Sequence, residues 1–286
     1  MAKIGLQLYS VKDEMQKDFF GTIRRVAKMG YEGIEFAGGL MQSATAEEVK
    51  KITDETGLAV AGAVFAMEEL ENSMEEIIEY CRIIGCPAVV FPWLVEEYRS
   101  VEGYEIAAVK FNSFGKRLKE NKIKYLYHIH GYEFEDIGGS TGMEILLKKT
   151  DPEYVGLEPD VYWVEWAGID SVEFMKKYGS RSPYIHFKDM KDKQGKHDTE
   201  VGDGAIDMAA IAREGKKNNA EWFIVEQEEF DKPSMESAAI SLRNMKRIMT
   251  AKPEFTKVVI GELNNNVPPA EMNSFSTAGF NNKIKI

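Results

Sequence analysis

Apolar and polar positions along the chain fall into a recurring unit: a short apolar run, a polar loop, then a longer stretch with apolar residues three and four apart. The short runs predict strands at 4–9, 33–36, 58–64, 88–91, 124–129, 155–158, 184–187 and 222–226. The helical spacing predicts helices near 18–29, 45–56, 74–84, 101–120, 142–149, 171–178, 208–218 and 234–248. Local chemistry agrees at several boundaries. Thr45 and Glu48 read as a capping box, Gly30, Gly57 and Gly85 follow helices as stops, and Pro233 stands where the last helix can begin. Strict β-α alternation implies a parallel sheet, and eight repeats is the number that closes into an α/β (β/α)8 barrel, the TIM-barrel architecture. The competing open, doubly wound sheet is weakened because the first strand-helix turn, Ser10-Val11-Lys12-Asp13, has no glycine-rich phosphate loop. The barrel is expected over residues 1–250. Residues 251–286, with Asn264-Asn265-Asn266, Pro268-Pro269 and Asn281-Asn282, lose the pattern and are expected to form a C-terminal extension outside it.

Composition narrows the partners. A chain of 286 residues that is 44% apolar can bury a large core. A net charge of -11 repels a phosphate backbone on average, which argues against nucleic acid. No stretch approaches the roughly 18 apolar residues of a membrane span, and the opening MAKIGLQLYS lacks a signal-peptide layout, so a soluble cytoplasmic protein is expected. Cys81 and Cys86 read as two buried thiols and are given no chemistry.

Candidate chemistry collects at predicted strand ends. Of four histidines, His128, His130 and His186 end strands five and seven; Glu133 follows strand five, Asp160 follows strand six and Glu226 ends strand eight. In a closed barrel these ends converge on the mouth that carries active sites in this architecture. Singly, each has an ordinary structural role: a loop carboxylate, a helix cap, a hydrogen-bonded core histidine, a partner for lysine. Together they would repel and lose solvation unless a cation gathered them.

The segments QLYSVKDE, GYEGIEFAG, YHIHGYEF, DVYWVEWAG, HFKD, VGDGAID and IVEQ resemble the xylose isomerase-like TIM-barrel superfamily of sugar phosphate isomerases and epimerases, from about residue 3 to residue 249. YHIHGYEF is close to the YHNHxxEF form of one branch. The resemblance implies one divalent metal ion, Mn, Mg, Co or Zn, held by Glu133, Asp160, His186 and Glu226. Relatives with an LENH-type strand five place a glutamate where this chain has His128, so His128 is the alternative ligand, with Glu133 behind it. The implied activity is that of a metal-dependent sugar isomerase or epimerase working through an enediolate. The dehydratases of keto-inositols and the lyases of oxidised glycosides in the same superfamily, and a sugar-binding barrel without turnover, are the alternatives. Glu133 and Glu226 are candidates to face the sugar carbon while staying on the metal, and His128 or His130 to move a proton. Lys188 lies two residues after His186 and is placed to steady a substrate oxygen or to form an ion pair. Trp163, Tyr9 and Trp93 are expected to wall a sugar ring. The HFKD and VGDGAID segments are expected to hold the seventh loop, with Gly202 and Gly204 allowing its turn. A small sugar or sugar derivative is the expected partner, with a homo-oligomer possible.

Overall fold

The computed structural model describes residues 2–250; the expected extension at 251–286 lies outside the described residues. Eight parallel strands form the sheet: β1 Lys3–Gln7, β2 Gly33–Phe36, β3 Ala59–Val64, β4 Ala88–Phe91, β5 Lys124–Ile129, β6 Gly156–Pro159, β7 Tyr184–Phe187 and β10 Trp222–Val225. A small antiparallel pair, β8 Asp189–Met190 with β9 Asp198–Thr199, follows the seventh. The hydrogen-bonded order is β6-β5-β4-β3-β2-β1-β10-β7. Between β6 and β7 the described residues supply a single parallel bridge, Asp160 with His186, so the sheet is a nearly closed TIM barrel.

Helices follow the strands, as the periodicity predicts. Those at Met74–Ile84, Val101–Glu120, Gly142–Lys149 and Ser171–Tyr178 match the expected bounds. The helix Ala46–Thr56 opens on a complete capping box, Thr45 with Glu48. The stops at Gly30, Gly57 and Gly85 adopt φ of 93°, 75° and 70°, where a side chain would be strained. The first strand is shorter than expected. Its Gln7 side chain accepts the Tyr9 amide, which winds Leu8–Val11 into a 3-10 turn instead of extending β1.

Two apolar layers result. Alternate residues such as Leu6, Ile34, Val89 and Phe223 pack outward under the helices. Val90, Leu126, Tyr184, Trp222 and Ile224 fill the lower interior of the barrel. Gly33 makes room for this filling: a Cβ there would stand 2.4 Å from the Trp222 ring and 2.8 Å from the Ala59 carbonyl oxygen. The filled interior leaves the upper ends of the strands as the place where a pocket can open.

Candidate metal centre at the barrel mouth

Five of the eight strands, β2, β5, β6, β7 and β10, lift ionisable side chains above the apolar filling at or just past their ends. His128, Asp160, His186 and Glu226 are all buried, and one candidate ligand atom from each lies within 4.8 Å of the others. Directly beneath, Glu35, Glu158 and His186 form a second such group. His186 joins the two: its Nδ1 is 2.7 Å from Glu226 Oε2, and its Nε2 is 2.9 Å from Glu35 Oε1 and 3.3 Å from Glu158 Oε2. His128 Nδ1 is 2.9 Å from Glu158 Oε2.

Glu133 lies outside this group. The 3-10 turn Tyr132–Phe134 carries its carboxylate away from the gathered group, where one oxygen accepts the Tyr127 hydroxyl (2.9 Å) and the other the His130 amide (3.0 Å). The structure brings His128 into the group in its place. Asp160 is a helix cap and a member of the group at once. Its Oδ1 accepts the Tyr162 amide at 2.8 Å at the start of helix Val161–Trp166, while its Oδ2 is buried without a hydrogen-bond partner.

Glu35 and Glu158 went unrecognised in the sequence. Each sits inside a four-residue strand among apolar or small neighbours, GIEF and GLEP, and both are fully buried. That pattern is itself a signal, because a charged side chain inside a strand covered on both faces needs a partner.

The electrostatics follow from burial and crowding. Burial, with Glu158 close by, pushes Glu35 up to about 7. Burial works against Glu158 as well, but His186 and the hydrogen bond from His128 overcome it and hold Glu158 near 2. Burial raises Asp160 to about 7 despite Lys188. Glu226 resists its burial through His186 and stays well below the usual carboxylate range. His186 is desolvated, yet Glu158 and Glu35 keep it well above an ordinary histidine. His130, by contrast, is driven well below it by burial and the nearby His128, so it is neutral.

The donors suit a divalent cation. Glu35 Oε2, Glu158 Oε1 and Asp160 Oδ2 are three buried carboxylate oxygens without a hydrogen-bond partner among the described residues, a costly arrangement that a cation would relieve. Two imidazoles and two carboxylates form a mixed nitrogen-oxygen set rather than the oxygen-rich set expected from Glu133.

Above the cluster opens a cavity of about 520 Å³. Tyr9, Trp93, His130, Trp163, Glu226 and Glu228 line it, so the three expected wall residues do stand at the mouth. Trp93 packs edge-on against His130 (4.8 Å between ring centroids), and the Arg99 guanidinium lies 4.4 Å from the Trp93 ring centroid. His130 Nδ1 and Trp163 Nε1 are buried and without a hydrogen-bond partner among the described residues. Lys188 is buried and ion-paired, 2.9 Å from Glu228 and 3.8 Å from Asp198, and lies over the Tyr162 and Trp163 rings. Asp189 of the HFKD segment accepts the amides of Met190, Gly202, Gly204 and Ile206, tying the VGDGAID loop to β7. Cys81 and Cys86 are buried free thiols. No helix among the described residues is long and apolar enough to cross a membrane.

Comparison with known proteins places this geometry. An inosose dehydratase of Mesomycoplasma hyopneumoniae (strain 7448) is 28% identical over 255 residues, covering 74% of this chain and 81% of its own. An inosose dehydratase of Clostridium perfringens (strain 13 / Type A) is 24% identical over 256 residues, covering 76% and 84%. Among solved structures, a sugar phosphate isomerase/epimerase from Parabacteroides distasonis ATCC 8503 superposes with a TM-score of 0.75 at 24% identity, covering 87% of this chain and 95% of its own. An L-ribulose 3-epimerase superposes with a TM-score of 0.67 at 14% identity, covering 87% and 95%. Residues 23–248, which include every member of the buried cluster, match the xylose isomerase-like TIM barrel family, and the chain belongs to that family.

Proposed function

We propose that the chain is a divalent-metal-dependent dehydratase acting on a ring-shaped keto-polyol of the keto-inositol type. His128, Asp160, His186 and Glu226 would hold the metal. Two imidazoles in the set favour Mn, Co or Zn over Mg. When bound, the metal supplies Lewis acidity to the carbonyl, which makes the neighbouring C–H bond acidic.

The observation that carries dehydration over epimerisation is the identity of the strand-five residue. Inverting a carbon needs a proton taken on one face and returned on the other, and so two groups facing the carbon; Glu133 and Glu226 were the candidates to face it. Here Glu133 is turned onto Tyr127 and the His130 backbone, and His128 is bound to Glu158. Besides Glu226, which belongs to the metal set, and Glu228, which is ion-paired to Lys188, the cavity is lined by neutral His130, whose Nδ1 has no hydrogen-bond partner among the described residues. A single base is enough for elimination on one face. His130 takes the proton from the carbon beside the carbonyl and returns it to the hydroxyl leaving the next carbon. One C–H and one C–O bond break, water departs, and the enol formed becomes a 1,2-diketone. Trp93, Tyr9 and Trp163 give the ring an apolar wall, and Trp93 holds His130 edge-on. The inosose dehydratase name of the curated relatives supports this substrate class.

The test is incubation of the metal-loaded protein with keto-inositols and with ketoses in D₂O, followed by proton NMR and mass spectrometry. Loss of water from a keto-inositol, giving a diketone, is the expected result. Deuterium incorporation with inversion and no loss of water would make the chain an epimerase. No change in any substrate would remove the catalytic reading.

A further inference from the structure

We infer that Glu35 and Glu158 are positioning carboxylates, each holding the far nitrogen of one histidine so that His186 offers Nδ1 and His128 offers Nε2 to the cation. This rests on the metal centre of the proposed function and assigns what that reading leaves open: which ring nitrogens bind and what fixes them. The shortest contacts are paired, with Glu158 Oε2 standing farther, 3.3 Å, from His186 Nε2. His186 Nε2 is 2.9 Å from Glu35 Oε1, leaving Nδ1 on the side of Glu226. His128 Nδ1 is 2.9 Å from Glu158 Oε2, leaving Nε2 as its ligand atom. His128 and Glu158 are also register partners on β5 and β6, so the sheet itself sets their distance.

The lower carboxylates have no other evident task. Among the described residues neither Glu35 nor Glu158 has a lysine or arginine ion partner; their charged contacts are the two histidines. A fully buried carboxylate without such a partner is expensive, and an imidazole N–H aimed at it is the standard compensation in metal sites. Glu35 is in turn held in place. Gln7 Nε2 donates to its Oε1 at 2.7 Å, and residue 62 is a glycine where a Cβ would stand 2.9 Å from its Oε2. Four strands therefore cooperate to aim one imidazole: β1 supplies Gln7, β2 Glu35, β3 Gly62 and β7 His186.

The experiment compares wild type with Glu35→Gln, Glu158→Gln and Gln7→Leu, all checked by thermal melting. Zn(II) affinity is measured by calorimetry with a competing chelator, and the ring nitrogens of ¹⁵N-histidine-labelled, Zn-loaded protein are read by NMR. Wild type should bind one Zn(II), with His186 protonated at Nε2 and His128 at Nδ1. Glu35→Gln and Glu158→Gln should each bind about 10- to 100-fold more weakly, with the matching histidine losing its fixed tautomer. Gln7→Leu, which leaves all six members of the cluster in place, should show a smaller loss in the same direction and decides the matter if the glutamate variants melt early. Unchanged affinity and ring signals would overturn the assignment. So would two Zn(II) per wild-type chain falling to one in Glu35→Gln, since Glu35 would then be a ligand. A wild type that binds no Zn(II), Mn(II) or Co(II) would instead sink the metal reading itself, and this inference with it.

Discussion

The lower and upper halves of the barrel interior are built from the same eight strands and by opposite rules. Below, Trp222, Tyr184, Leu126 and Ile224 fill the space against glycine, and the buried Tyr184 hydroxyl is satisfied by the Ala61 carbonyl at 2.7 Å. Above, four carboxylates and two histidines crowd together and three buried carboxylate oxygens have no partner. Cavity size does not separate the two ends, since a second cavity of about 520 Å³ opens at the lower end beside Lys124, Leu126 and Arg181. What distinguishes the mouth is convergence of unsatisfied donors over a rigid floor. The lower half supplies stability so that the upper half can hold charges that oppose it.

Substitutions that exchange these roles test the contrast. Asp160→Asn removes one donor from the mouth and should lower turnover by at least about 10⁴-fold, roughly 5 kcal/mol of barrier, without lowering metal-free stability at pH 8, because burial already disfavours the Asp160 carboxylate. Steady-state kinetics beside urea denaturation check both halves of that statement. Trp222→Ala does the reverse: it empties the floor and should cost about 3–5 kcal/mol in urea denaturation, with the Zn(II) stoichiometry of the folded fraction unchanged.

Glu133 gives a smaller effect with a defined sign. Burial raises its carboxyl from 4.5 to about 7, so the folded state favours the protonated form. That contribution is fully present below about pH 4.5 and is lost as pH rises through 7, by up to about 3 kcal/mol. Glu133→Gln should therefore match wild type in urea stability near pH 4.5 and exceed it by about 3 kcal/mol at pH 8. A wild type that remains the more stable of the two at pH 8 would show that Glu133 is ionised in the fold and that its two hydrogen bonds outweigh its burial.

Most of the fold could be read from the chain because period and punctuation agree there. The apolar runs mark the eight strands, and glycines or capping residues end or begin the helices between them. The β8–β9 pair was missed because its two-residue strands have no period to detect. At the site, the residues at strand ends were visible, since polar groups leaving an apolar run stand out. His128, Asp160, His186 and Glu226 are of this kind. Glu35 and Glu158 were hidden inside runs that read as strand, and only the closed barrel turns them inward. Glu133 falls outside the gathered group because it sits in a one-turn 3-10 segment and is held by the Tyr127 hydroxyl and the His130 amide, and three residues carry too little pattern to foretell that.

The missing ladder between β6 and β7 has a mechanical meaning. Seven joints of the ring are sewn by backbone hydrogen bonds, and the eighth is touched once, at Asp160 and His186. Both of those residues belong to the gathered cluster. The centre therefore sits where a clasp sits on a hoop: a ligand held by both residues would span the joint that the backbone bridges once.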